Sequence, residues 1–115
     1  MTIRPIETSE HAFLRKLLSV TFSGRDQLAE QVECASVHPI DHNGSLRFTV
    51  NSNAIAPVTK RIPVEAQCLD SDNVAIHALL HVVDGKISEL EIYRDDSQPI
   101  LRNVEVNEWE VSAVE

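Results

Sequence analysis

The sequence is poor in glycine, cysteine and aromatic residues, and each shortage argues against a class of function. Three glycines among 115 residues leave no glycine-rich loop that could hold a phosphate group. Cys34 and Cys68 lie far apart, without the C-x-x-C spacing of a redox or zinc site, so we expect reduced thiols in apolar surroundings. No G-x-S-x-G motif marks a serine nucleophile. We therefore expect no cofactor and no catalytic residue.

Long apolar runs are also missing. No stretch of about 18 apolar residues could cross a membrane, and the first residues, Met1 to Pro5, do not resemble a signal peptide. Basic residues are few and form no cluster that could bind a phosphate backbone. We therefore expect a cytoplasmic protein that contacts neither a membrane nor nucleic acid directly.

The composition is that of a folded protein. Hydrophobic residues make up 43% and charged residues 24% of the chain, close to the averages for folded proteins. A length of 115 residues suits one hydrophobic core. We expect a single domain, residues 1–115, with a helical part at about 8–34 and a sheet part at about 36–114.

The net charge of −8 is distributed unevenly along the chain. Residues 1–60 contain six acidic and six basic residues, so this half is neutral. Residues 61–115 contain the other twelve acidic residues against four basic ones, so this half carries the whole net charge. An acidic surface of this kind suits a strongly basic protein partner, because opposite charge steers association and pairs across an interface.

The first third of the chain predicts two helices. The cluster Thr8-Ser9-Glu10 is a start signal, and Phe13, Leu14, Leu17 and Leu18 then recur at helical spacing, which predicts a helix over about 9–20. Ser23-Gly24 precedes a second, shorter apolar stripe formed by Leu28 and Val32. Both helices are amphipathic, so each should pack one face on a core.

From Ala35 the pattern changes to short strands separated by turn residues. Alternation around the turn at 41–44 predicts a hairpin, and three further strands follow at 62–69, 74–83 and 87–94. An edge strand is possible near Trp109, where apolar and polar residues alternate again. The fold class is therefore α+β, with two N-terminal helices packed on an antiparallel meander sheet of about five strands.

The register of the last hairpin can be predicted from the side chains that each loop length would bury. A two-residue Asp84-Gly85 loop would pair Leu80 with Glu89 and bury a carboxylate. A three-residue loop that includes Val83 pairs apolar residues inside and His77 with Glu91 outside. We therefore expect the three-residue loop, with Ser88, Leu90 and Ile92 on the buried side of the last strand.

The outward side of these strands predicts a polar face with histidines, carboxylates and a tyrosine. His77 and His81 have the spacing of helical zinc ligands, but four residues of a strand span about 13 Å, so we expect no metal site. A histidine beside a carboxylate could serve acid–base chemistry, although such pairs are also ordinary cross-strand neighbours. The residues expected to contact a protein partner are Glu65, His77, His81, Glu89, Glu91, Tyr93, Asp95 and Asp96.

The stretch from Val64 to Ile100 resembles a family of small bacterial α+β domains without an assigned role. The likeness lies in Val64-Glu65-Ala66, the segment Ile76 to Lys86 and the segment Ser88 to Asp96. Some domains of this size and style resemble immunity proteins of bacterial polymorphic-toxin or contact-dependent growth inhibition systems. That resemblance implies a protein that binds and blocks a cognate toxin.

Two function classes remain open at this point. The first is a cytoplasmic immunity protein that neutralises a basic toxin, for example a nuclease, through its acidic C-terminal half. The alternative is a small enzyme or ligand-binding domain that uses His77, Glu91 and Tyr93; a deep pocket beside His77 would favour it. A weak homodimer through an exposed edge strand is also possible.

Overall fold

The first helix is stabilised at its N-terminus by a hydrogen bond between a side chain and the backbone. The computed structural model describes residues 2–114, in which α1 spans Thr8–Leu17. The Glu10 side chain accepts a hydrogen bond from the Glu7 backbone N–H at 2.9 Å, which satisfies a donor that the helix itself leaves unpaired. Phe13, Leu14 and Leu17 are buried, as their spacing predicted.

The second helix, α2, spans Arg25–Val32 and buries Leu28 and Val32, as expected, together with Gln31. Gly24 precedes the helix with φ of 93°, a conformation that costs other residues energy. An added Cβ would also lie 2.9 Å from the Val58 side chain. This position therefore requires glycine for both its conformation and its surroundings.

Within residues 2–114, seven strands form one antiparallel sheet, two more than expected, and the α+β class is confirmed. They are β1 (Arg4–Pro5), β2 (Ala35–Pro39), β3 (Leu46–Val50), β4 (Val64–Leu69), β5 (Ala75–Val83), β6 (Lys86–Arg94) and β7 (Glu110–Ala113), and a short 3-10 helix covers Val106–Glu108. The order is β1-β2-β3-β6-β5-β4-β7. The strands β4, β5 and β6 form the predicted meander, but β3 pairs with β6 rather than with β4.

The predicted register of the β5–β6 hairpin is wrong. Val83 pairs with Lys86, so Asp84 and Gly85 form a two-residue loop, and their φ values of 52° and 76° fit a type I′ turn. A β-bulge then shifts the register next to His81 and Val82. The shift places Ile87, rather than Ser88, on the buried side.

The bulge also resolves the conflict that argued against the short loop. It pairs Leu80 with Leu90 and His81 with Glu89, so the carboxylate stays outside. His77 consequently lies opposite Tyr93 rather than opposite Glu91. The expected division of the other strand residues between the two faces is nevertheless confirmed, since Ile76, Leu80 and Leu90 are buried.

The two helices pack on one side of the sheet, the inner face. Its core includes Leu14, Leu28 and Leu80, all fully buried, and Trp109 closes one end with its ring 4.9 Å from that of Phe13. The other side of β4, β5 and β6 is not covered by a helix within residues 2–114, and we call it the outward face. Its side chains are Glu65, Gln67, His77, Leu79, His81, Glu89, Glu91 and Tyr93.

Two further expectations can be compared with the structure. No helix within residues 2–114 has both the length and the apolar character needed to cross a membrane. Both cysteines are free thiols, but only Cys68 is buried as expected, whereas Cys34 is exposed. Burial raises the pKa of the Cys68 thiol to about 11, so this sulfur stays protonated at neutral pH.

Candidate functional site

The outward face brings six of the eight predicted partner-binding residues together on three adjacent strands. Glu65 lies on β4, His77 and His81 on β5, and the other three, Glu89, Glu91 and Tyr93, on β6. The pleat of each strand points alternate side chains outward. The antiparallel register then sets His77 against Tyr93 and His81 against Glu89. Backbone pairing alone therefore assembles this surface.

At one end of the face His77 stacks on Tyr93. The two rings lie 5.0 Å apart with 25° between their planes, and Nε2 of His77 is 3.0 Å from Oδ1 of Asp95. Burial, followed by the negative charges of Glu91, Asp95 and Glu65, raises the pKa of the Tyr93 hydroxyl. The tyrosine is thus a partly exposed aromatic group in a strongly negative field.

At the other end His81 contacts Glu91 and lies near Glu89. Its Nε2 lies 3.0 Å from Oε1 of Glu91, and one ligand atom each of His81, Glu89 and Glu91 fall within 4.8 Å of one another. Glu89 also accepts a hydrogen bond from Arg47 on β3 at 3.2 Å. Within residues 2–114, Nδ1 of His81 is buried without a hydrogen-bond partner. This group of three side chains is the candidate cation site of the structure.

The outward side of β4 and β5 contains two leucines that the sequence analysis left out. Leu79 is partly buried and pairs with Glu65 on one side and Glu91 on the other. Leu69, at the end of β4, is 54% exposed. Alternation along β4 and β5 already assigns both leucines to the outward side, so this signal could have identified them. The face therefore combines apolar groups with carboxylates.

Asp96 is held apart from the other predicted partner-binding residues. It accepts hydrogen bonds from Arg94 at 3.0 and 2.6 Å, and Arg94 also contacts Asp70 and Asp72. The Arg94 side chain is 4% exposed and therefore lies inside a ring of three aspartates. The arrangement engages Asp96 in an ion network with Arg94, although its side chain is 41% exposed. Asp95, in contrast, stays beside His77 at the end of the outward face.

A cleft of about 540 Å³ lies on the helix side of the sheet rather than beside His77. Its apolar wall comes from Phe13 on α1, from the inner side of β3 and β6, and from the segment that leads into β7. Glu10 and Arg102 line its polar part, but Glu10 is bound to Arg4 and Arg102 to Glu108. These polar groups are already paired with neighbours.

The outward face could support three kinds of chemistry. A histidine that contacts a carboxylate can move a proton, and His81 with Glu91 has that geometry. A histidine nitrogen with two carboxylates can bind a transition-metal ion. An aromatic side chain surrounded by carboxylates can bind the basic side chains of a protein.

Comparison with known proteins gives one match. A family described as "Domain of unknown function (DUF6984)" matches residues 3–104, which include both helices and the strands β1 to β6. No curated protein and no solved structure matches the chain.

Proposed function

Because the chain belongs to the DUF6984 family, for which no activity is defined, we propose a function from its own surface. The proposal is that the outward face binds a basic protein, and that this partner is a toxin that the domain neutralises. The observation that carries it is the position of Tyr93, partly exposed on an uncovered sheet face and close to three carboxylates.

The chemistry of this position fits a basic side chain. The face of a tyrosine ring attracts an arginine or lysine cation, and nearby carboxylates add charge-paired hydrogen bonds. Glu65 is exposed, and Glu91 is 42% exposed, so both can reach a partner. Leu79 and Leu69 supply apolar area nearby, and aromatic and apolar groups at the centre of a contact commonly dominate its energy.

The charge of the whole chain supports the same partner. The entire net charge of −8 belongs to residues 61–115, the half that forms β4, β5 and β6. Basic residues on this side of the sheet include Arg47 and Lys86, and Arg47 is paired with Glu89. A basic surface would therefore meet an excess of carboxylates, which raises the rate of encounter.

The toxin and the compartment are parts of the same proposal. Residues 64–100 resemble small bacterial domains without an assigned role, and the resemblance of some domains of this size and style to immunity proteins is the ground for proposing a toxin as the partner. A toxin that acts on nucleic acid carries the basic surface that this face would cover. The free thiols of Cys34 and Cys68 are compatible with a cytoplasmic inhibitor, because reducing compartments keep thiols in this state.

Calorimetry with the toxin domain encoded next to this chain's gene would test the proposal. We expect a one-to-one complex, and Tyr93→Ala should weaken it by roughly tenfold or more, as truncation of a central aromatic contact does. Thr8→Ala is the control, because Thr8 is an exposed residue of α1 on the other side of the sheet, and it should leave the affinity unchanged. Absence of binding at micromolar concentrations would reject the toxin partner, and equal weakening by both variants would place the interface elsewhere.

A further inference from the structure

We propose that His81, Glu89 and Glu91 bind a divalent transition-metal ion such as Zn²⁺. The three side chains offer one nitrogen and two oxygen ligands from neighbouring strands, with the ligand atoms within 4.8 Å of one another. This proposal does not depend on the toxin partner, because it concerns the isolated protein.

The ligand geometry is close to what a small cation requires. Two ligands bound to zinc at about 2.0–2.1 Å in a tetrahedron lie about 3.3 Å apart. Nε2 of His81 and Oε1 of Glu91 are 3.0 Å apart, so a small adjustment would let one ion contact both. Glu89 is the proposed third ligand, because one of its carboxylate oxygens lies within 4.8 Å of the other two ligand atoms. A water molecule can take the fourth position, as in open zinc sites.

The β-bulge in the hairpin is a second observation in favour of the site. A two-residue turn without the bulge would set Glu89 opposite Leu80, on the buried side. The register shift instead sets Glu89 opposite His81. Bulges are common where a strand must redirect a side chain toward a site. The β-bulge in β6 therefore places Glu89 on the same side of the sheet as His81 and Glu91.

The donor set selects the class of ion. Calcium and magnesium prefer six or more oxygen ligands, whereas an imidazole nitrogen suits zinc, nickel or copper. The existing contact of Glu89 with Arg47 is a surface ion pair between side chains that are 28% and 58% exposed, so it competes weakly.

The surroundings of His81 limit the affinity. When Nε2 binds the ion, the ring proton must lie on Nδ1, and this atom is buried without a partner within residues 2–114. Metal-bound histidines usually donate that proton to a carboxylate or carbonyl, which strengthens the site. We therefore expect binding that is saturable but weaker than in structural zinc sites, and that is lost at low pH because protons compete for the ligands.

Isothermal titration of the metal-free protein with ZnCl₂ tests the proposal. We expect one saturable site per chain, and we expect His81→Gln and Glu91→Gln each to weaken it by roughly tenfold or more. His77→Gln is the matched control, because His77 lies four residues away on the same strand face and also contacts a carboxylate, Asp95. It should leave the zinc affinity unchanged. Titration with Co²⁺ should give the visible absorption of a tetrahedral site, and His81→Gln should abolish it.

Three results would overturn the site. They are no saturable zinc uptake by the wild-type protein, equal weakening by His77→Gln and His81→Gln, or a zinc affinity that is unchanged in His81→Gln. Circular dichroism of each variant shows whether it folds, and the outward position of both histidines makes folding the expected result. A protein that binds zinc but not the toxin would reject the proposed function and keep this one.

Discussion

At the scale of single residues, Gln31 links a helix to the hairpin that carries the site. It is fully buried and makes three hydrogen bonds, donating to Ala54 O at 2.9 Å and Gly85 O at 2.7 Å and accepting from Ile87 N–H at 2.9 Å. One amide side chain therefore ties α2 to the turn between β5 and β6. Buried polar groups that lose such partners are costly.

Gln31→Leu should lower the free energy of unfolding by roughly 2–4 kcal/mol, because the buried Ile87 N–H loses its only side-chain partner and the Ala54 carbonyl loses a donor. Urea unfolding followed by Trp109 fluorescence measures this loss. Gln27→Leu is the control, since Gln27 lies on the same helix but is only partly buried and should change stability by about 0.5 kcal/mol or less. Similar losses in both variants would mean that the hydrogen bonds of Gln31 contribute little.

The sequence analysis predicted the buried apolar residues of α2 but not the hydrogen bonds of Gln31. Leu28 and Val32 define the buried stripe of α2, and Gln31 lies three residues after Leu28 on the same side of the helix. Helical spacing therefore indicates that a glutamine is buried, which requires partners. Those partners lie at residues 54, 85 and 87, and only the packing of the whole chain reveals them.

At the scale of elements, the strands were predictable and their alignment was not. Alternation placed β4 to β6 within two residues of their observed bounds, because each strand buries one side. The bulge in β6 was missed because alternation was assumed to be continuous. The buried pair Ile87 and Leu90 is three residues apart, which breaks the alternation and marks the bulge.

The Arg94 network joins three segments at one end of the sheet. Asp70 follows β4, Asp72 precedes β5 and Asp96 follows β6. The contact with Arg94, followed by the backbone N–H of Gln98, lowers the pKa of the Asp96 carboxyl to about 2. Burial acts in the opposite direction on Asp70, but hydrogen bonds from Leu101, Ser71 and Arg94 outweigh it, so the pKa of Asp70 is also lowered.

This network should make the fold sensitive to acid. An unfolded aspartate has a pKa of about 3.9 and takes up a proton more readily than folded Asp96, so protons favour the unfolded state as the pH falls. The contribution is complete above about pH 5 and is lost as the pH falls toward the folded pKa of about 2. The melting temperature should therefore drop between pH 5 and 2, measured by circular dichroism.

Asp96→Asn isolates this contribution. The variant should melt at a lower temperature at pH 7 by roughly 4 °C, because Arg94 loses one of three charged partners and the 41% exposure of Asp96 weakens that pair. Its melting temperature should also depend less on pH below about 4. Asp84→Asn is the control, because Asp84 is an exposed residue of the β5–β6 turn. If Asp96→Asn retained the pH dependence of the wild-type protein, the network would not be the acid-sensitive element.

At the scale of the whole molecule, one long-range pairing combines the hairpins into a single sheet. Leu46 and Arg47 of β3 pair with Leu90 and Glu89 of β6, and the hydroxyl of Ser45 exchanges hydrogen bonds with the Ile92 backbone at 2.9 and 3.2 Å. Each hairpin is encoded locally, but their union depends on residues more than 40 positions apart. Sequence patterns carry little information on such a choice, which explains why a simple meander was expected.

The electrostatic field of the molecule gives the last prediction, which rests on the proposed toxin partner. Glu65→Lys combined with Glu91→Lys reverses two charges that flank Leu79 on the outward face. We expect the association rate constant to fall by roughly tenfold or more at low salt, because the reversed charges repel a basic partner during encounter. The dissociation rate constant should rise as well, because the charge-paired contacts of the two glutamates are lost. Stopped-flow measurements over a range of salt should show the difference shrink as the field is screened.

A matched variant separates the face from the net charge. Asp26→Lys with Glu30→Lys makes the same change in net charge on exposed residues of α2, on the other side of the sheet. If the acidic half of the chain steers the partner to the outward face, this variant should slow association much less than Glu65→Lys with Glu91→Lys does. The reason is that the electrostatic potential near a docking surface depends mainly on the nearest charges. Equal slowing by both pairs would show that only the total charge matters and would contradict docking on the outward face.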